Sequence, residues 1–426
     1  MILIIAIYFL FALSYLIYRR KHFLSPSSLF VASQIIMFAG ILGYADFGNK
    51  SDIKLIFIYV VALVFFIFGT LVKPAKVTQK YYKTDKNDFS TFQTIVIVVL
   101  VALSIGLCSY LFAKNGGNAF VLAVKSIFSD GESNIVSARS EYNKVSGIGY
   151  ISQFRGVILP LLNILLVINR KRKKLRTLGF ILLPFTVLFL LGTGQRGQFF
   201  IIACIVLLNV FLQGKYLGFK IKWLRIVVAG IIAFALFSIL SVANNRVSSG
   251  DTNIVVGVFN AFIKRIMNDN QSCAVIGFRY IDSLNVCWGR DWAMSFLDLL
   301  PGKNSYISME SQIFNLIYGS TNGTSPPCIW GSAYYNFGYF GVTLFPFALG
   351  FLYEKCYRSF LDKPKSQLSI CMYSGLFVIM GFWIASTPMY LINDGFVTIL
   401  ILLFILDRIT FSFQNGFEFK RYALKR

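Results

Sequence analysis

Seven arginines, Arg139, Arg155, Arg196, Arg246, Arg265, Arg279 and Arg290, define the chemistry open to this sequence. All lie on the side of the apolar runs where basic residues are scarce. Lys and Arg are normally driven into cytoplasmic loops, so arginines on the opposite face need another reason. An anion held at the outer face supplies one, because the planar guanidinium donates bidentately to phosphate. Lys303 adds a further cation, and a phosphorylated lipid carrier is the ligand that such an array suits. Four carboxylates, Glu141, Asp251, Asp282 and Glu310, fall on the same external side. Glu141, Asp282 and Asp291 also stand close in sequence to Arg139, Arg279 and Arg290, so local ion pairs are the plainer alternative for those three arginines.

The single histidine, His22, falls on the cytoplasmic side. Neither a zinc site nor an external histidine base is expected, and no cofactor or metal is called for. Seven cysteines show no CxxC spacing; Cys273, Cys287 and Cys328 fall outside, where one disulfide or three unpaired thiols both fit.

The elements that must carry these residues are membrane spans. Hydrophobic residues make up 56% of the 426, charged ones only 14%, and the mean hydropathy is +0.67, which excludes a soluble domain. Apolar runs long enough to cross a bilayer occur near 2–18, 24–44, 53–72, 92–113, 151–169, 177–194, 199–213, 226–243, 339–356, 368–386 and 395–409. They predict an all-α polytopic membrane protein of about eleven transmembrane helices, forming a single membrane domain over 1–426. Basic clusters recur at every second loop: Arg19-Arg20-Lys21, Lys73 to Lys86, Arg170 to Arg176, Lys215 to Arg225, Lys355 to Lys365, and Arg408 onward. They hold 27 of the 41 Lys and Arg, whereas the opposite loops hold 12 of the 18 Asp and Glu. One orientation satisfies this distribution, N-terminus outside and C-terminus inside, with Arg19-Arg20-Lys21 marking the first run as a reversed signal anchor. The net charge of +23 is then a topology signal directed at anionic membrane lipids, and no nucleic-acid motif accompanies it.

Two external loops are long. The first, 114–150, has an amphipathic stretch around Phe120 to Phe128. The second, 244–338, has apolar residues at helical spacing over Ile254–Ile266 and again over Ala293–Leu300, which suits helices lying in the membrane interface. At the turn Gly194-Gln195-Arg196-Gly197 the chain has no slack. Residues 177–214 must cross the hydrocarbon twice, about 60 Å, and 38 residues of helix supply about 57 Å. Arg196 is therefore placed at or below the outer surface, where a charge is costly and usually functional; snorkelling to lipid headgroups is the alternative. The flanking glycines would let a ligand approach the backbone closely.

After Pro301-x-Lys303 comes Ser325-Pro326, then Gly331-Ser332-x-Tyr334 and Phe337-Gly338-x-x-Gly341. Prolines and glycines there bend the chain back toward the membrane, and Tyr334 offers a ring face and hydroxyl suited to sugars. With Arg196-Gly197 at an external turn, this ordered set resembles the bacterial O-antigen polymerase (Wzy) family of oligosaccharide repeat-unit polymerases. Length, span number and a dominant outer loop agree. An arginine–x10–glycine spacing noted in some members fits Arg246…Gly257, whereas Arg265…Gly277 and Arg290…Gly302 are each one residue too long.

The resemblance implies a metal-independent, GT-C-like glycosyltransferase of the bacterial inner membrane, with both long loops periplasmic. Donor and acceptor would be undecaprenyl-pyrophosphate-linked oligosaccharides, and a polysaccharide chain-length regulator would be a partner. Arg196 and Arg246, with Arg139, Arg155, Arg279, Arg290 and Lys303, would bind the pyrophosphate and its developing charge. Glu141 or Glu310 would be the base and Tyr334 a sugar contact. Two rivals remain. An O-antigen ligase shares the topology but resembles a set that uses an external histidine. A flippase would also need arginines, but such carriers have short loops and internal repeats, neither of which is seen here.

Overall fold

The computed structural model describes residues 1–75, 89–114, 117–128, 148–169, 172–194, 196–220, 223–243, 254–264, 268–298, 300, 306–320, 323–383, 387–412 and 416–419. The helices are α1 (Ile2–Tyr18), α2 (Pro26–Tyr44), α3 (Lys50–Leu71), α4 (Thr91–Lys114), α5 (Ala119–Phe128) and α6 (Ile148–Gln153). A π turn (Phe154–Ile158) joins α6 to α7 (Leu159–Ile168), followed by α8 (Lys173–Leu191), α9 (Arg196–Leu217) and α10 (Trp223–Ala243). The long 244–338 segment contributes α11 (Ile254–Lys264), α12 (Asn270–Asp282), α13 (Arg290–Leu297) and α14 (Met309–Tyr318). Then come α15 (Ile329–Asp362), α16 (Gln367–Phe382), α17 (Pro388–Asn393) and α18 (Phe396–Leu403). A short antiparallel hairpin, β1 (Ile409–Ser412) with β2 (Gly416–Phe419), follows the otherwise helical chain.

Among the described residues seven helices are long and apolar enough to cross a membrane: α2, α3, α4, the α6–α7 unit, α8, α9 and α15. Shorter apolar helices cover Ile2–Tyr18, Ile226–Leu236, Gln367–Phe382 and Phe396–Asp407. The chain is thus a helical, multi-pass membrane protein. Its residues fall into two compact units.

The first unit comprises Met1–Gln79, Phe259–Asp362 and Phe377–Ile392. Its spine is the α3–α15 pair. A Cβ added at Gly69 would strike the Phe347 carbonyl oxygen, and one at Gly350 would strike that of Phe66. Only glycine lets the two backbones touch there, as at close helix crossings within membranes. Phe30, Phe66 and Tyr353 fill the neighbouring core, with ring centroids 4.8–5.6 Å apart. Local sequence sets the starts of its helices: Ser25 accepts from Ser28 N ahead of Pro26, and Asn49 accepts from Ser51 N.

Arg19 plays more than a topological part. Both its terminal nitrogens donate to the Glu354 carboxylate, at 3.1 and 2.7 Å, and each side chain is 2% exposed. Ala75 N donates to the same carboxylate at 2.6 Å. This buried pair ties the segments after α1 and α3 to α15.

The second unit comprises Lys80–Val258, Lys363–Leu376 and Asn393–Arg426. The α7–α8 hairpin lies at its centre, with Gly179 against the backbone of Val167 and Asn163 donating to Thr186 Oγ1 at 2.8 Å. α8 and α9 end and begin at 191 and 196, which bears out the expected turn. Gly194 has φ +68°, a left-handed conformation that itself favours glycine.

Replacing Glu354 by Ala leaves a buried guanidinium without its carboxylate, and the expected loss is about 3–5 kcal/mol. Thermal unfolding of the purified protein in detergent should show a clearly lowered midpoint. Gly350→Ala should lower it too, by forcing α3 and α15 apart, whereas Ala at the open position Gly197 should not.

Candidate functional site

Among the described candidates the most unusual is Glu310, in the first turn of α14. α14 starts where it does because Ser308 caps Ser311 N, and it ends at Gly319 with φ +69°. It packs on α12 through Ile313, whose side chain covers Gly277. This places Glu310 inward, at 6% exposure, against the 387–390 segment. Thr387 N approaches its carboxylate at 3.4 Å, and Ser325 N donates to its backbone carbonyl at 3.0 Å. Burial pushes its carboxyl from 4.5 up to about 7, and the negative charge of Asp291 adds to the rise. Hydrogen bonds from Thr387 and Tyr390 and the positive end of α14 oppose that rise, and burial wins.

Asp291, in the first turn of α13, is 1% exposed. It accepts from Tyr306 OH at 2.9 Å and Met309 N at 3.0 Å. Its neighbour Trp292 is clamped by the motif entering α15: Trp292 Nε1 donates to Ser332 Oγ at 2.8 Å and Trp292 N to Asn336 Oδ1 at 3.1 Å. α15 breaks at Gly338, where φ is +60° and ψ −143°. A Cβ at Gly341 would strike the Ala333 carbonyl, and one at Gly289 would meet the Phe337 ring at 2.7 Å. The glycines of Phe337-Gly338-x-x-Gly341 therefore fold the start of α15 against its own span and against the turn before α13.

Tyr334 joins a second cluster in this unit. Its ring lies 5.0 Å from Lys54 Nζ and 5.5 and 5.6 Å from the rings of Tyr339 and Phe278. Lys54 donates to Asp282 at 2.6 Å, and Ser51 donates to the other oxygen of that carboxylate at 2.7 Å. Arg279 binds Asp52 bidentately, at 2.8 and 2.6 Å. The ion-pair alternative thus holds for Arg279 with a different partner, an acid 227 residues away rather than the nearby Asp282. Arg290 is exposed at the first residue of α13.

In the second unit Arg155 is 2% exposed and belongs to the π turn between α6 and α7. Its Nη1 donates to Thr193 Oγ1 at 3.0 Å and to the Leu190 carbonyl at 3.2 Å. With Asn118 donating to Leu188 O and Ala119 N to Gly192 O, it satisfies carbonyls at the end of α8. Arg155 thereby braces the turn that leads into Arg196, the first residue of α9. Arg139, Glu141, Arg246, Asp251, Arg265 and Lys303 lie outside the described residues, as does the side chain of Arg196.

All seven cysteines are free thiols. Among the described residues no three of His, Cys, Asp and Glu gather as a metal group. Sequence reasoning passed over Asp52, Glu354 and Asp394. The signal for the first two was a carboxylate at the edge of, or inside, an apolar run, which needs a cationic partner. Asp394, between α17 and α18, is raised to about 6 by burial. No family model, curated protein or solved structure matches the chain.

Because its folded carboxyl is raised, Glu310 contributes stability that is fully present below about pH 4.5 and lost as pH rises through about 7. That component is roughly 3 kcal/mol. In melts between about pH 5 and pH 8, Glu310→Gln should lose less stability with rising pH than the wild type. Parallel curves for the two proteins would place the raised carboxyl elsewhere.

Proposed function

We propose that this chain is a membrane glycosyltransferase that polymerises undecaprenyl-pyrophosphate-linked oligosaccharide repeats into O-antigen or a related surface polysaccharide. In this reading the seven long helices and the four shorter apolar ones make eleven spans of a GT-C-like protein in the bacterial inner membrane. The N-terminus is outside, the C-terminus inside, and segments 114–150 and 244–338 are periplasmic. The acceptor hydroxyl attacks the anomeric carbon of the donor's reducing-end sugar. The carbon–oxygen bond to pyrophosphate breaks, its electron pair leaves with undecaprenyl pyrophosphate, and the hydroxyl proton passes to a carboxylate.

The observation that carries the reading is Glu310. A nearly buried carboxyl poised at about 7, on a helix of the long loop, has the proton affinity a general base needs at neutral pH. This favours Glu310 over Glu141 as the base. Tyr334, half-buried in an aromatic cluster beside Lys54 and Asp282, fits a sugar contact. The pyrophosphate falls to arginines, Arg196 and Arg246 first, with Arg139, Arg290 and Lys303 as supports. Arg155 and Arg279 enter through the turn and the ion pair they hold.

The test is a lipopolysaccharide ladder from a strain deleted for this gene and complemented with variants. Deletion should remove long chains and retain core plus one repeat, because export and ligation still operate. Loss of even the single repeat would point to a flippase or a ligase. Arg196→Ala should abolish long chains at normal protein level, Glu310→Gln should cut the polymerisation rate by about 10²–10⁴-fold, and Arg265→Ala should be tolerated.

A further inference from the structure

We infer that Thr324 and Tyr390 form the path by which the attacking hydroxyl's proton reaches Glu310, with Thr324 at the outer end and Tyr390 between. The inference rests on the polymerase reading for its reaction, and on a chain of hydrogen bonds for its route. Glu310 is 6% exposed, whereas a base must lie within hydrogen-bond reach of the proton it removes. A sugar hydroxyl has no direct access to a carboxylate so enclosed, and a chain of donors has to bring the proton inward. Thr387 donates to that carboxylate through its backbone N and its hydroxyl, and Tyr390 through its own hydroxyl. Thr387 is 4% exposed and opens no way out. Tyr390 is half-buried, and its oxygen lies 2.9 Å from Oγ1 of the exposed Thr324.

A tyrosine hydroxyl has one proton to give. With Tyr390 donating to Glu310, the Thr324 hydroxyl donates to Tyr390, so each O–H of the chain points toward the carboxylate. Backbone contacts fix both links. Ser325 N donates to the Glu310 carbonyl at 3.0 Å, which holds Thr324 beside α14, and Pro326 biases Ser325 toward extended backbone. The Thr387 carbonyl accepts from Tyr390 N at 3.1 Å and from Trp383 Nε1 at 3.2 Å, which fixes the turn that carries Tyr390. As the acceptor hydroxyl attacks, its proton passes to Thr324 Oγ1, the Thr324 proton to the Tyr390 oxygen, and the Tyr390 proton to Glu310. Each hydroxyl loses one O–H bond and gains another, so only the attacking oxygen and the carboxylate change charge. With Glu310 protonated the chain reverses and returns the proton to water. Tyr390 acts only through Glu310 and is a positioning residue, whereas Thr324 meets the acceptor hydroxyl itself.

The test follows the acid proton of Glu310 itself, through hydrogen–deuterium exchange of its carboxylic-acid C=O infrared band in the full-length protein in nanodiscs. Glu310→Gln identifies the band by removing it. On rapid mixing into D2O on the acid side of the Glu310 midpoint, wild type and Thr324→Ser, which keeps a hydroxyl, should exchange alike. Tyr390→Phe and Thr324→Val should each slow the exchange by about tenfold or more. The double variant should be no slower than either single one, because one break already interrupts the chain. Polymerisation should fall in the same variants, by less than in Glu310→Gln, and in Tyr390→Phe with the KM for acceptor unchanged. Should Tyr390→Phe not fold, Thr324→Val against Thr324→Ser decides alone. Unslowed exchange in either folded variant would overturn the inference. Slowed exchange in a protein whose deletion leaves the polysaccharide ladder intact would sustain the path and remove the polymerase reading.

Discussion

The approach of α3 to α15 at Gly69 and Gly350 is the contact on which the first unit depends. With no side chain between them, each backbone meets the other's carbonyl oxygens, and close packing gives what apolar burial cannot inside a membrane. Both ends of that pair then carry polar work. At one end Glu354 binds Arg19 and Ala75 N. At the other, Asp52 and Lys54 of α3 bind Arg279 and Asp282 of α12, while Ser332 and Asn336 of α15 hold Trp292. A displacement of one helix along the other would disturb the Asp52, Lys54 and Trp292 contacts together, and through Asp291 the start of α14.

Charge is distributed accordingly. A buried arginine is tolerable when it is bidentate with a carboxylate or saturated by carbonyls. Arg19 takes the first solution, Arg155 contacts the end of α8 as in the second, and the part-exposed Arg279 is bidentate with the buried Asp52. Arginines already committed in this way have little left to offer a mobile pyrophosphate. The proposed phosphate contacts therefore concentrate on Arg196 and Arg246, with Arg139, Arg290 and Lys303 in support, and leave out Arg155 and Arg279.

What could be read from the sequence divides along the range of the interaction. Apolar runs depend only on local composition, and so the long helices and the turn between 191 and 196 were legible. So was the bend before the span near 339, because Gly338 and Gly341 stand together in the chain. The long-range pairs were not: Arg279 finds Asp52, not Asp282, and Arg19 finds Glu354, because helix packing, not chain proximity, decides the partner. Glu354 was nonetheless a visible anomaly, a carboxylate inside an apolar run. Glu310 was named as a candidate but could not be ranked, since burial and the neighbourhood of Asp291 arise only after α13 and α14 fold.

A carboxyl raised toward neutrality has several uses, and its surroundings decide among them. A proton-coupled carrier would want its acid within a span, on the path of the cargo. Glu310 instead occupies the first turn of a short helix in the 244–338 segment, beside a second acid and a group of tyrosines. That environment suits the deprotonation of a neutral hydroxyl. A base near neutrality can receive a proton without being permanently protonated, while an isolated carboxylate in water would bind it too weakly. The cost is a destabilised, partly charged interior at working pH, of the kind met where function rather than folding determines the residue.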